Sequence, residues 1–257
     1  MKPWIYAFDF DGTFVSSKHP QPAIELADFL SNSDENDYWG INTGRNFNFL
    51  YQDLEKLSLT VEPDFIIARE REIYFKDANG WTKDTQAWEI CLDKHLELLE
   101  KGSAFFARAK NWLEKNTQAT WEFEDDYLQG VVGKTHEEIL AFIEWIKQDI
   151  AGQDLERILH YEYNTIYLRF GHAGFNKGQA LKEVIRKLNG CVTQTIVAGD
   201  AANDLTMLNR EVAHHIIAPS NACDYVKQQV LDHGGWVSHL EASHGVMDGL
   251  KGLKLVK

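Results

Sequence analysis

Cysteine is scarce in this chain: Cys91, Cys191 and Cys223 are the only three among 257 residues. An odd and widely scattered set supplies neither a disulfide framework nor a clustered cysteine zinc site. Cations are also short, with 26 lysines and arginines against 39 acids and a formal net charge of −13. A surface that acidic repels nucleic acid and anionic lipid, and no basic stripe interrupts it, so neither is an expected partner. No apolar run approaches the ~18 residues of a membrane span. Acids arrive too early in "MKPWIYAFDFDGT" for the apolar core of a signal peptide, and repeats and low-complexity stretches are missing. What remains is average for a globular protein, 44% hydrophobic and 25% charged, with a cytoplasmic location as the expectation. An anionic ligand would need local help from a metal or a few placed cations.

The first third alternates apolar runs with helical patterns. "WIYAFDF", "YWGINTG" and "PDFIIA" read as strands, separated by the helices "QPAIELADFLSN", with Pro22 in its first turn, and "NFNFLYQDLEKLS". "EIYFKDANGWTKD" reads as a hairpin turning at Asn79-Gly80. The rhythm returns after Gly174 with the helix "NKGQALKEVIRKLNG", the strand "QTIVAGD", a short helix "ANDLTMLNR", the strand "VAHHIIA", and alternating elements to the end. Strand–helix alternation predicts a mostly parallel sheet with helices on both faces. Between the halves lie a long helical block broken near Gly102, the strands "TWEFED" and "YLQGVVG", a helix opened by Thr135 and Glu138 at capping-box spacing, and strands near "RILHYEY" and "TIYLRF". The expectation is an α/β fold: a Rossmann-like, doubly wound core from residues 1–82 and 173–257, with an α+β domain inserted at 83–172.

Ligands of open parallel sheets bind beyond the carboxyl ends of the strands, and those ends are where the polar clusters fall. The first strand runs into Asp9-Phe10-Asp11-Gly12-Thr13, the second into Asn42-Thr43-Gly44-Arg45, and a late one into Gly199-Asp200-Ala201-Ala202-Asn203-Asp204. Lys177 opens a helix, where a cation opposes the macrodipole. Each cluster alone has a bland reading, since Asp and Asn start turns and Thr43 would serve as a helix cap. The ordered set does not. Asp9 and Asp11 share a strand face if the extended path continues, and their mutual repulsion calls for a cation, a proton or a hydrogen-bond network.

The combination "DFDGT", "NTGR", "NKG" and "GDAANDLTML" resembles, in order, the four motifs of the haloacid dehalogenase-like (HAD) phosphohydrolase superfamily. The inserted segment is similar in position and content to the type IIB cap of Cof-like sugar phosphatases, sucrose-phosphate phosphatases and phosphomannomutases. "TGRNFNFL", "PDFIIARE" and "IYF" look most like the first two branches. The resemblance implies Asp9 as a nucleophile that forms an aspartyl-phosphate. It implies Mg²⁺ held by Asp9, the Asp11 backbone carbonyl and Asp200, with Asn203 and Asp204 around the metal site. Lys177, Thr43 and Gly44 would bind the phosphoryl group, and Arg45 would touch substrate or cap, or form an ordinary surface ion pair. An alkoxide leaving group needs a proton and the intermediate needs an activated water, so Asp11 as acid and base favours a phosphatase over a dehalogenase. The expected partner is a small phosphorylated metabolite, foremost a sugar phosphate, with cap closure over hinges near Thr82 and Gly171–Gly174 setting specificity.

Other patterns are decoys. Gly133-Lys134-Thr135 lacks the upstream glycine of a P-loop, where Leu128 stands. His136-Glu137 lacks the second histidine of a zinc-protease helix. His214 and His215 fall in a strand as structural residues, and the tryptophans at 81, 88, 112, 121 and 145 read as packing before sugar stacking. "FEDD" at 123–126 reads as a solvated turn. Two rivals stay open: a phosphosugar mutase on the same scaffold, and a non-catalytic binding protein, which the intact acid set opposes.

Overall fold

The structure is a computed structural model that describes residues 2–16, 20–31, 36–124 and 127–253; Asp125 and Asp126 of the expected solvated turn lie outside them. The chain packs as two compact units, Met1–Trp88 with Lys177–Lys257, and Glu89–Asn176.

Strands of the first unit are β1 (Ile5–Phe8), β2 (Tyr38–Asn42), β3 (Phe65–Ala68), β4 (Glu72–Asp77) and β5 (Gly80–Lys83). The inserted unit supplies β6 (Thr120–Glu124), β7 (Tyr127–Val132), β8 (Leu159–Asn164) and β9 (Tyr167–His172), and the chain returns with β10 (Thr195–Ala198), β11 (His215–Ala218) and β12 (Trp236–Val237). The helices are α1 (Gln21–Leu30), α2 (Phe47–Leu57), α3 (Thr85–Lys101), α4 (Ser103–Asn116), α5 (His136–Ile150), α6 (Leu155–Ile158), α7 (Lys177–Lys187), α8 (Asp224–Asp232) and α9 (Ala242–Gly252).

The large sheet has the order β12-β11-β10-β1-β2-β3-β4-β5. Its first six strands run parallel, and β4 and β5 close the edge antiparallel. Successive side chains of a strand face opposite sides, and the core divides accordingly. Tyr6, Phe8, Trp39, Ile41 and Ile66 pack under α1, α2 and α9 on one face. Ile5, Ala7, Phe65, Ile67 and Val197 pack under α7 and α8 on the other. This is the doubly wound α/β sandwich expected from the alternation. From β1 the chain steps one way to β2 and β3 and later returns on the other side with β10 and β11, so a topological switch point lies beside β1. Register sets what meets there: Phe8 pairs with both Ala198 and Ile41, so Asp9, the Gly199-Asp200 turn and the Asn42–Thr43 end emerge level with one another.

The inserted unit is an antiparallel sheet, β6-β7-β9-β8, whose core of Phe105, Phe142, Ile146, Leu168 and Phe170 joins it to α4 and α5. Trp112 and Trp145 stack on Phe142 at 5.7 Å each, and Trp121 packs on the same cluster. Gly133-Lys134-Thr135 is the entry to α5: Thr135 Oγ1 accepts from the Glu138 N–H, and the Glu138 carboxylate accepts from the N–H groups of Lys134 and Gln118 at 2.8 Å each.

Five local expectations need correcting. The β4–β5 hairpin turns at Ala78-Asn79, since Gly80 already pairs with Asp77, and His214 lies before β11, which starts at His215. "ANDLTMLNR" is not a helix but one 3-10 turn, Ala202–Asp204, because Asp204 turns back to bind the backbone ahead of it. Arg157 and Ile158, expected in a strand, end the short helix α6 before β8 begins. Thr43 does not cap α2; Asn46 does, its side chain accepting from the Phe49 N–H at 3.0 Å.

Candidate active site

Asp9 continues the ladder of β1 by one bond, its N–H donating to the Ala198 carbonyl at 2.9 Å. The chain then folds over: the Phe14 N–H returns to the Asp9 carbonyl at 3.0 Å, the Gly12 N–H donates to the Val15 carbonyl and the Val15 N–H to the Phe10 carbonyl, both at 2.8 Å. Gly12 has φ 82°, and a Cβ there would lie 2.4 Å from an Asp200 oxygen. The turn therefore needs glycine on both counts. It separates the two aspartates that an extended strand would have aligned. Asp9 is buried, whereas the Asp11 side chain is 51% exposed.

Lys177 sits at the first position of α7 and is wholly buried. Its Nζ donates to Asp9 Oδ1 and to Asp204 Oδ1, both at 2.6 Å. Close helix approach makes this reach possible, since a Cβ on Gly178 would lie 2.1 Å from the Thr206 carbonyl oxygen. Asn42 steadies the same point by donating to the Lys177 carbonyl at 3.0 Å. The other oxygen of Asp204 accepts from the N–H groups of Asp200 and Ala201 at 2.8 and 2.9 Å. Both Asp204 oxygens are thus committed to holding Lys177 and the 200–204 turn. Asp200 Oδ1 accepts from the Thr13 hydroxyl at 2.9 Å, and Asn221 spans the Gly12 carbonyl at 2.7 Å and Asp200 Oδ2 at 3.5 Å.

One oxygen from each of Asp9, Asp200 and Asp204 falls within 4.8 Å of the others. Burial drives the Asp9 carboxyl well above the usual carboxylate range, with Lys177 opposing the shift and Asp204 and Asp200 adding to it. Burial, then the charge of Asp204, pushes Asp200 up to about 6. Lys177 goes the other way: burial works against its charge, yet Asp204 and Asp9 raise it far enough to keep it an ammonium ion. The upward shifts of Asp9 and Asp200 mark a pocket that, with all three acids ionised, is short of about two positive charges, a deficit that a divalent cation would fill. The side-chain donors left for one are oxygens of Asp9 and Asp200, and the Asp11 backbone carbonyl, the third expected ligand, accepts no hydrogen bond among the described residues. Oxygens of this kind are the hard ligand set that suits Mg²⁺.

Around this pocket, Thr43 is buried; its N–H donates to the Ile67 carbonyl at 2.8 Å and its Oγ1 accepts from the Arg45 N–H at 3.2 Å. Its hydroxyl hydrogen has no acceptor among the described residues. Gly44 lies beside it, where an added Cβ would meet a Glu70 oxygen at 3.2 Å. Arg45 clasps Asp11, Nε and Nη2 each 2.6 Å from a different oxygen, while Nη1 holds Asp53 at 2.5 Å. Asn203 Nδ2 donates to Glu70 Oε1 at 2.8 Å. The structure thus gathers Asp9, Asp11, Thr43, Gly44, Arg45, Lys177, Asp200, Asn203 and Asp204 at one sheet edge. Sequence reasoning included Thr13 and Asn42 in motifs and Glu70 in "PDFIIARE" but gave none of them a role. It missed Asn221, which carried no signal.

The sequence profile of the haloacid dehalogenase-like hydrolases matches residues 64–250. The chain belongs to that family. Among solved structures, this HAD-like hydrolase is similar to a Synechocystis sucrose-phosphatase in complex with sucrose and phosphate, at TM-score 0.72 and 16% identity over 99% of both chains. It is also similar to a phosphatase of the HAD superfamily from Bacteroides thetaiotaomicron, at 0.64 and 18% identity over 99% of this chain and 96% of that one. A haloacid dehalogenase-like hydrolase from Bacillus subtilis gives 0.60 and 18% over 98% and 90%. At such identities the likeness speaks for the fold. No curated protein matches the chain in sequence. No helix among the described residues is long and apolar enough to cross a membrane.

Proposed function

We propose that this HAD-like hydrolase is a Mg²⁺-dependent phosphatase of small phosphorylated metabolites, foremost a sugar phosphate, with residues 83–172 as the domain that sets specificity. The observation that carries it is the division of labour at the end of β1: one buried acid against a fixed ammonium, Asp9 on Lys177, and one exposed acid at the rim, Asp11. Acyl-phosphate chemistry needs that pair, a nucleophile held in place and a separate group to exchange protons.

Asp9 attacks phosphorus through a carboxylate oxygen, and the leaving alkoxide departs with the electron pair of the P–O bond. Repulsion between a carboxylate and a phosphate costs ~4 kcal/mol per unit-charge pair at 4 Å in an effective dielectric of 20, so positive charge must be in place beforehand. Lys177 supplies one such charge and, held as an ammonium, acts as donor and never as base. Mg²⁺ held by Asp9 and Asp200, once bound, would supply the rest by drawing charge from the phosphoryl oxygens. Thr43 has a hydroxyl hydrogen to donate to the same group. Asp11, protonated when Arg45 releases it, gives that proton to the leaving oxygen. In the second step it takes a proton from the water that attacks phosphorus, while the P–O bond to Asp9 breaks and returns its electron pair to the Asp9 carboxylate. Because Arg45 holds both its oxygens, handling a proton requires Arg45 to release at least one of them. The sugar-phosphate part of the reading is supported by the sucrose-phosphatase likeness.

Asp9→Asn is expected to abolish phosphate release from p-nitrophenyl phosphate, and chelation to abolish it in the unaltered protein until Mg²⁺ is restored. Full activity after chelation would overturn the reading. A phosphate-release screen over sugar, polyol, nucleotide and cofactor phosphates then tests the substrate class.

A further inference from the structure

The turn between β3 and β4 breaks the residue preference of its own geometry. The Arg71 N–H closes it on the Ala68 carbonyl at 3.1 Å, and both central residues have positive φ, Arg69 at 48° and Glu70 at 66°. Three residues, Arg69 to Arg71, join the paired Ala68 and Glu72, and a four-residue turn with positive φ at both central positions favours Asn or Gly there, because a Cβ is crowded at positive φ. This chain uses Arg-Glu. The bent backbone is useful, since the Arg69 and Glu70 N–H groups clamp the carbonyls of Arg45 and Thr43 at 2.8 and 2.9 Å. Glycine would make the same two bonds without the crowding, so the backbone does not account for a glutamate.

The side chain does. Glu70 Oε1 accepts from Asn203 Nδ2 at 2.8 Å across 133 residues of sequence, borders Gly44, and adds its charge to those that hold Lys177 as an ammonium. A carboxylate only accepts, so it dictates that the amide nitrogen of Asn203 faces it and the amide oxygen faces away. That oxygen has no hydrogen bond among the described residues and is left to accept from water. Asn203 lies in the turn whose backbone Asp204 fastens and which begins at Asp200.

We propose that Glu70 is a positioning residue of the metal end of the pocket: through Asn203 it fixes the 200–204 turn, and backbone crowding at positive φ is retained for that purpose. The inference rests on the Mg²⁺-dependent phosphatase reading. It is tested with Glu70→Gly and Glu70→Gln, reading the melting temperature in chelator, the Mg²⁺ concentration that half-saturates the Mg²⁺-induced melting shift, and kcat and KM on p-nitrophenyl phosphate. Glu70→Gly is expected to melt no lower than the unaltered protein in chelator, because glycine suits the turn. It should nevertheless need about tenfold more Mg²⁺ and lose about tenfold in kcat with KM little changed. Glu70→Gln still offers an acceptor to Asn203 and should recover most of both. Glu70→Gly with unchanged Mg²⁺ half-saturation and kcat, beside an active unaltered protein, overturns the role of Glu70. A Glu70→Gly loss matched by a lower melting temperature in chelator overturns it too, because that is a folding effect. An unaltered protein with neither a Mg²⁺ shift nor phosphate release overturns the phosphatase reading and this proposal with it.

Discussion

Lys177 and Asp204 show how one buried charge determines what its neighbours can do. Lys177 is enclosed completely, and its two partners, Asp9 and Asp204, are themselves buried. Breaking a buried pair by deleting one partner leaves an uncompensated charge and costs about 3–5 kcal/mol. Lys177→Met is therefore expected to lower the metal-free stability by about that much in urea unfolding, and Lys177→Met/Asp204→Asn to recover part of the loss. A single variant as stable as the unaltered protein would mean that the ammonium does not hold this pocket together. Thr13 and Asn221 act at the same scale on Asp200, one hydrogen bond each, and place the carboxylate that the sequence could only name.

At the scale of elements, β11 shows where a strand pattern and a titrating group meet. His215 opens the strand, pairs with Ile196 in register, and sets its ring 5.7 Å from Trp4. Burial, then the charges of His214 and Arg210, lowers its pKa from 6.5 to about 4. The unfolded chain therefore takes up this proton at a higher pH than the folded one. The His215 contribution to stability is complete above 6.5 and is lost as pH falls from there towards about 4. His215→Phe keeps a ring beside Trp4 and removes the titration, so its melting temperature should fall less than that of the unaltered protein between about pH 7.5 and pH 4.5. Equal falls would place the acid sensitivity elsewhere. The elements themselves were largely legible: strands with Ile, Val and Phe on both faces, and helices with one apolar stripe, leave few alternatives. Local reasoning failed at Ala202–Asp204, where a helix was expected, because Asp204 spends its oxygens on Lys177 and on the N–H groups just ahead of it.

The whole molecule carries two kinds of core. One is split between the faces of the large sheet, and the other lies within Glu89–Asn176. Phe142 is fully buried in the latter and touches Trp112, Trp145 and Phe170. Phe142→Ala should cost about 3–5 kcal/mol through the cavity it leaves. Hydrogen exchange should show the loss across Glu89–Asn176 while β1 and β10 keep their protection. Uniform loss along the chain would mean that the two units unfold as one.

The sequence by itself determined the alternation of elements, the doubly wound core and the placing of acids, threonine and lysine at strand and helix ends, because each of these is written in neighbouring residues through periodicity, turn chemistry and capping. Tertiary structure alone decided the partners. Lys177 finds Asp9 across 168 residues, Arg45 finds Asp11 across 34, and Asn203 finds Glu70 across 133. No local pattern encodes those distances. They follow from strand order and register, which bring the ends of β1, β2 and β10 level and let a hairpin turn from β3 reach the same pocket. Asp9 and Asp11 are two residues apart in the chain, yet only the turn at Gly12 and the reach of Lys177 and Arg45 give one a buried ammonium and the other a guanidinium at the rim.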